Sequence, residues 1–200
     1  MRLSVALAVL GTVTLAAGEQ AGRRAPGFAL PDPEYKRFYD LQDYKGKVLL
    51  IDIMTTSCPH CQLLSTTLEK VKERYGDKVA VLSVVLPPDN QETISKYIAT
   101  NKITVPIVCD MGQMTISYLN AKPGQGHVDV PHLFIIDREG IIRNDFEYDE
   151  KERSVFEGPG LFAEVDRLLK KESKGTKEPG GLLQHPSHQP ANEIGGESVN

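Results

Sequence analysis

Two cysteines three positions apart, Cys58 and Cys61, with Pro59 and His60 between them, are the densest chemistry in the sequence. A pair at this spacing can close a disulfide, share a metal or trade a disulfide with another molecule, and the residues around it favour one of these. Residues 48–54 run Val-Leu-Leu-Ile-Asp-Ile-Met, almost wholly apolar, up to the pair. Pro59 then stands where an opening helix tolerates proline, because the missing N–H has no helical partner to lose. Cys58 is therefore expected where a buried strand passes into a helix, its sulfur facing free N–H groups and the positive end of the helix dipole. That setting favours thiolate, the nucleophile of disulfide exchange. Cys58 is the expected attacking residue, and Cys61, one turn further in, the resolving one. His60, protonated or donating a hydrogen bond, would add positive potential beside Cys58 and stabilise the reduced form, while Pro59 stiffens the turn.

An inert disulfide or half a zinc site remains the alternative. Zinc would need a second Cys or His pair, and Cys109, His127 and His132 are the candidates. No metal or organic cofactor is expected. Cys109, at the end of an apolar stretch, reads as a buried, unreactive thiol. Asp52 interrupts the apolar run six residues before Cys58. A carboxylate there is either buried, with a raised pKa suited to proton transfer with Cys61, or turned to water at the strand's edge.

The elements that must position these groups alternate. A strand over residues 48–54 suits burial on both faces of a sheet, and a helix from 59 to 75 carries Leu63, Leu64, Leu68 and Val71 on one side, ending at Gly76. A second strand over 79–86 stops at Pro87-Pro88, and a helix over 92–100 precedes extended residues 105–108. A short helix at 114–119, a strand at 133–136, a turn at 137–140, a hairpin partner at 141–146 and an amphipathic helix at 160–170 complete the order. The pattern βαβα then ββα predicts an α/β fold with a central mixed sheet flanked by helices on both faces.

The ends read differently. Arg2, an apolar stretch over residues 3–15 and the small residues Ala16, Ala17 and Gly18 form a signal peptide over residues 1–18, cleaved after Gly18. The apolar run is short of the roughly 20 residues of a membrane span, so stable insertion after cleavage is not expected. Residues 19–171 form the domain, and residues 172–200, poor in apolar side chains, read as a disordered tail in which His185 and His188 are bland. The net charge of −4 and the lack of a basic run argue against nucleic acid as a partner.

Three segments carry a family resemblance. Ala25-Pro26-Gly27-Phe28-Ala29-Leu30, Tyr44-Lys45-Gly46-Lys47-Val48 and Cys58-Pro59-His60-Cys61 together resemble the secreted thioredoxin-like reductases of the TlpA and ResA type. Val130-Pro131 resembles that family's cis-proline loop, and Ile136-Asp137-Arg138-Glu139-Gly140 its following turn. The resemblance covers residues 25–170. It implies a thioredoxin fold, a redox-active Cys58-Cys61 disulfide, a cis Val130-Pro131 peptide beside it, substrate contacts from Val130, Pro131 and His132, and Asp52 as the acid assisting Cys61. It also implies an extracytoplasmic monomer that exchanges disulfides with cysteine-containing exported proteins and draws on a membrane redox partner.

Departures from the family pattern leave the direction of electron flow open. The chain has no tryptophan, Thr55-Thr56-Ser57 makes the approach to Cys58 polar, and His132 stands where threonine commonly follows the cis-proline. The Pro-His dipeptide is typical of DsbA-type oxidases. Potentials in this fold span roughly −270 to −120 mV, about 7 kcal/mol for two electrons, so small local changes choose the role. Reduction is favoured by the wider resemblance. Two rivals stand beside it. A peroxidase would use a Pro-x-x-x-Thr-x-x-Cys pattern, of which Thr55 is present but Ile51 replaces the proline. A copper-binding protein would add His132 or His127 to the two thiolates, although such proteins separate their cysteines by three residues rather than two.

Overall fold

A computed structural model describes residues 18–122, 124 and 128–175. Residues 1–17 of the leader expected over 1–18, His127, and residues 176–200 of the expected tail, with His185 and His188, lie outside them. A hairpin of two short strands, β1 (Ala29–Pro31) and β2 (Phe38–Asp40), precedes the main sheet. Then follow β3 (Val48–Met54), α1 (Pro59–Tyr75), β4 (Val79–Val85), α2 (Gln91–Asn101), β5 (Ile107–Cys109) and α3 (Gln113–Ser117). The chain closes with β6 (His132–Ile136), β7 (Ile142–Glu147), α4 (Arg153–Glu157) and α5 (Pro159–Gly175). The backbone of α5 thus continues past Lys171, where composition alone placed the domain's end.

The five-stranded sheet runs β5-β4-β3-β6-β7, with β4 parallel to β3 and β5, and β6 antiparallel to β3 and β7. This is the mixed sheet that the order of elements implied. All seven residues of β3 are buried, as a strand with neighbours on both sides and layers on both faces requires. Alternation along the strands sorts the core into two layers. Val48 and Leu50 face Leu64, Leu68 and Val71 of α1 and Val155, Phe156, Leu161, Val165 and Leu168 of α4 and α5. Leu49, Ile51 and Ile53 face Phe28 and Leu30 of the N-terminal segment and Met114 and Tyr118 of the α3 region.

The spacing of Leu64, Leu68 and Val71 puts one α1 face on the sheet, and Gly76, at φ 53°, ends the helix in a conformation that costs glycine little. Asn90 caps α2 by accepting hydrogen bonds from the Glu92 and Thr93 amides. The end of α1 and the start of α2 are thereby set, and the carboxyl ends of the parallel strands β3 and β4 open on the same side of the sheet. Crevices beyond such ends are where α/β sheets build their sites.

Candidate active site

At the carboxyl end of β3 the chain turns through Thr55-Thr56-Ser57 and enters α1 with Cys58 as its N-cap residue and Pro59 in the first turn. The Cys58 side chain itself does the capping: its sulfur accepts the Cys61 amide N–H at 3.2 Å. The same Sγ lies 3.7 Å from the Val130 carbonyl oxygen, to which its thiol donates. Cys58 is half-buried, reachable from solvent, whereas Cys61 is fully buried. Cys58, Cys61 and Cys109 are all free thiols, so the structure is the dithiol form of the pair.

Val130-Pro131 is a cis peptide, and it brings the Val130 carbonyl onto Cys58. A second cis peptide, Pro87-Pro88, lies in the loop after β4. Asp89, next in that loop, accepts the Thr56 amide N–H at 2.7 Å and the Thr56 hydroxyl at 2.5 Å, tying the approach to Cys58 onto the end of β4. Gln62 adds a hydrogen bond from its side-chain amide to the Thr56 carbonyl at 3.0 Å. Between these loops opens a groove of about 820 Å³, lined mainly by apolar side chains that include Leu86, Pro87, Pro88, Ile116, Val128 and Val130. It runs past Thr55 and Ser57, just before Cys58 in the chain, and past Val130, whose carbonyl contacts the Cys58 sulfur.

Asp52 is fully buried, which rules out a carboxylate facing water at the strand's edge. Neither of its oxygens has a hydrogen-bond partner among the described residues, and burial pushes its pKa up to about 8. The Cys61 thiol is pushed far above its usual range, first by burial and next by the Asp52 charge and the hydrogen bond with Cys58. Two groups that each resist losing a proton, facing the same interior, form a coupled pair in which a proton leaving Cys61 has a carboxylate to go to.

His60 is exposed and its ring lies flat on Tyr148, with centroids 3.7 Å apart and planes 21° from parallel. His132 is buried on the sheet face away from Asp52: it pairs with Ile53 while Asp52 pairs with Leu133, and alternation sends the two side chains to opposite sides. There its ring stacks on Phe134, with Nε2 3.4 Å from Asp145 and Nδ1 3.6 Å from Glu147. Of the three residues expected to meet substrate, Val130 lines the groove, Pro131 is buried behind it and the His132 side chain points elsewhere. Cys109 is half-buried at the end of β5 rather than enclosed, with its pKa raised by burial and, next, by the Asp32 charge. Among the described residues no cluster of three His, Cys, Asp or Glu side chains has the arrangement of a metal site. No helix among them is long and apolar enough to cross a membrane.

Asp89 and Tyr148 were not singled out by sequence. Asp89 carried a usable signal, a polar residue just after an apolar strand that ends at Pro87-Pro88, whereas nothing in the sequence marks Tyr148 as a neighbour of His60. Ile51, in the place of the peroxidase proline, is fully buried within β3.

Known proteins add to this geometry. The thioredoxin-like protein YneN of Bacillus subtilis is 28% identical over 129 residues, which cover 64% of this chain and 71% of YneN. The thiol-disulfide oxidoreductase ResA of Halalkalibacterium halodurans is 24% identical over 123 residues, 62% of this chain and 66% of that one. The solution structure of a thiol:disulfide interchange protein from a Bacteroides species matches with a TM-score of 0.59 at 22% identity, covering 79% of this chain and 93% of that one, and so shares the thioredoxin-like fold. The model of the AhpC/TSA family matches residues 21–145. That span takes in β3, the Cys58 helix and the cis-proline loop together, and the chain belongs to the AhpC/TSA family.

Proposed function

We propose that this thiol-disulfide oxidoreductase acts outside the cytoplasm, reducing disulfides in cysteine-containing exported proteins through Cys58 and Cys61. The observation that carries the reading is the placement of Cys58: a half-exposed sulfur capping α1, in contact with the Cys61 amide and with the carbonyl that precedes cis-Pro131. A helix-terminal N–H and the dipole behind it stabilise negative charge on that sulfur.

The Cys58 thiolate attacks one sulfur of a substrate disulfide. The substrate S–S bond breaks, a mixed disulfide forms, and the departing substrate sulfur takes a proton. Asp52, once its own proton has passed to water, takes the proton of Cys61; the Cys61 sulfur attacks the Cys58 sulfur, the mixed disulfide breaks, and the second substrate sulfur leaves and is protonated. Two electrons and two protons pass to the substrate, and the Cys58-Cys61 disulfide must be re-reduced by a membrane donor before the next cycle. The groove beside Val130 offers the substrate chain an apolar bed. No metal or organic cofactor enters any step. Export is supported by the leader-like residues 1–18, and the enzyme works as a monomer.

The Pro59-His60 dipeptide favours a second reading, in which the pair runs in reverse and forms disulfides. The equilibrium of the pair with glutathione, measured in a Cys109→Ser background, decides between them. A potential near −250 mV supports the reductase and one near −120 mV the oxidase. A pair that does not cycle refutes both and returns attention to metal binding.

A further inference from the structure

We propose that Tyr148 is a positioning residue for His60, and that it sets how strongly the His60 ring bears on the Cys58 sulfur. The inference rests on the disulfide-exchange reading. It begins with an oddity of placement. His60 is an exposed side chain in the first turn of α1, and such a ring ordinarily samples several rotamers. Here it lies face to face with Tyr148 at 3.7 Å between centroids.

Tyr148 is itself held. It follows β7 directly, packs at the edge of the core layer beneath α1 and meets Phe156 edge-on, with centroids 5.2 Å apart and planes at 67°. Phe156 is fully buried in α4, and its carbonyl accepts a hydrogen bond from the Thr67 hydroxyl of α1 at 2.9 Å. A closed frame results: α1 carries both Cys58 at its cap and Thr67 further along, Thr67 fixes α4, Phe156 supports Tyr148, and Tyr148 returns to His60 two residues after Cys58. The imidazole is thereby held against the end of β7, on the same first turn of α1 that Cys58 caps.

A ring able to donate a hydrogen bond or carry positive charge near Cys58 stabilises negative charge on that sulfur, which favours the reduced pair, and does little for the neutral disulfide. Tyr148 therefore works on the equilibrium between dithiol and disulfide through His60 and touches neither cysteine itself.

The test is the equilibrium constant with glutathione, in which two protein thiols and one glutathione disulfide yield the protein disulfide and two glutathione thiols. It is measured on the full chain in the Cys109→Ser background. Tyr148→Leu is expected to shift the equilibrium about fivefold toward the protein disulfide. Tyr148→Phe, which keeps the ring, stays within twofold of the parent. His60→Ala shifts the equilibrium in the same direction, and adding Tyr148→Leu to His60→Ala produces no further shift. An unchanged constant in folded Tyr148→Leu overturns the proposal, and so does an equal shift in the presence and absence of His60, which would place the effect in packing alone. Should Tyr148→Leu not fold, the comparison of Tyr148→Phe with Tyr148→His, which keeps a smaller ring, provides the same reading: equal constants in those two and in His60→Ala overturn it. A parent pair that fails to cycle with glutathione overturns the exchange reading, and this inference with it; a parent that cycles while every Tyr148 variant matches it overturns this inference only.

Discussion

Replacing Asp52 with alanine should make the protein more stable and the enzyme slower. The carboxyl ionises near 3.8 in an ordinary setting and near 8 in its buried place, so between those values the folded chain holds a proton that the unfolded chain has given up. Stability from this group is fully present below about pH 4 and is lost as pH rises through about 8, at about 1.4 kcal/mol per pH unit. At pH 7 the wild type has given up as much as about 4 kcal/mol in this way. Alanine removes that loss and leaves a small void costing about 1 kcal/mol. The net gain is about 2–3 kcal/mol at pH 7 and vanishes or reverses near pH 4. Urea denaturation of both proteins in the reduced state, at pH 4, 5.5, 7 and 8.5, reads the difference, since titrations of groups that Asp52 does not perturb cancel between them, and Cys61 and Tyr97, which it does perturb, both have raised pKa values.

The same substitution takes away the acceptor for the Cys61 proton. Attack of Cys58 on a model disulfide should continue near its wild-type rate, while release of the mixed disulfide by Cys61 slows by about 10²–10⁴-fold, the usual weight of a positioned base. Stopped-flow separation of the two phases measures this. A stability difference that is the same at pH 4 and pH 8.5 would refute the buried, proton-holding Asp52. An unchanged second phase would refute its role as acceptor while leaving its burial intact.

Other perturbations follow from the same geometry. Cys61→Ser should trap substrate on Cys58 as a mixed disulfide visible by mass spectrometry, whereas Cys58→Ser should trap nothing; an adduct on Cys61 would reverse the assigned order of attack. Asp89→Ala removes both hydrogen bonds to Thr56, and turnover should fall severalfold while stability drops by only about 1–2 kcal/mol; full activity would show that the Thr55-Thr56-Ser57 approach holds its shape unaided. Glu69 on α1 accepts the Thr104 and Val105 amides at 2.6 and 2.8 Å and the Thr104 hydroxyl at 2.5 Å, fastening the loop before β5. Burial alone would raise its pKa, but those hydrogen bonds, with Lys72 nearby, hold it below the usual carboxylate range. Its contribution is present above the ordinary carboxylate pKa and lost as pH falls through the lowered value, so Glu69→Gln should destabilise by about 1–2 kcal/mol at pH 7 and by less near pH 3 in acid titrations of the melting temperature.

The parts of this protein that could be read from sequence are those in which one physical demand dominates over a whole segment. A run like Val48–Met54 has few folds open to it, and the observed strand has the expected limits because apolar burial alone sets them. Helix α1 was bounded as firmly, by Pro59 at one end and Gly76 at the other. The short pieces escaped for the opposite reason. Strands β1 and β2 are three residues each and include a proline, and α4 spans five residues within a charged stretch, so none has room for a period to show.

The same distinction runs through the site. Cys58, Cys61 and Asp52 could be found because each stands at a place where its chemistry conflicts with, or completes, the local pattern: a thiol at a helix cap, a carboxylate among aliphatics. His132, expected at the substrate, lies on the sheet face opposite Asp52, against Phe134 and Asp145, and its side-chain direction depends on the pairing of β6 with β3, in which a single residue of register exchanges the two faces. Tyr148 lies 88 positions from His60 in the chain and reaches it only because β7 ends beside the first turn of α1. Contacts of that kind are set by tertiary geometry. The Cys58 sulfur is placed locally, at the cap of one helix, while Asp89, Val130 and Tyr148 reach its surroundings from the loops after β4, before β6 and after β7, so variation in those three loops should move the potential of the pair without touching either cysteine.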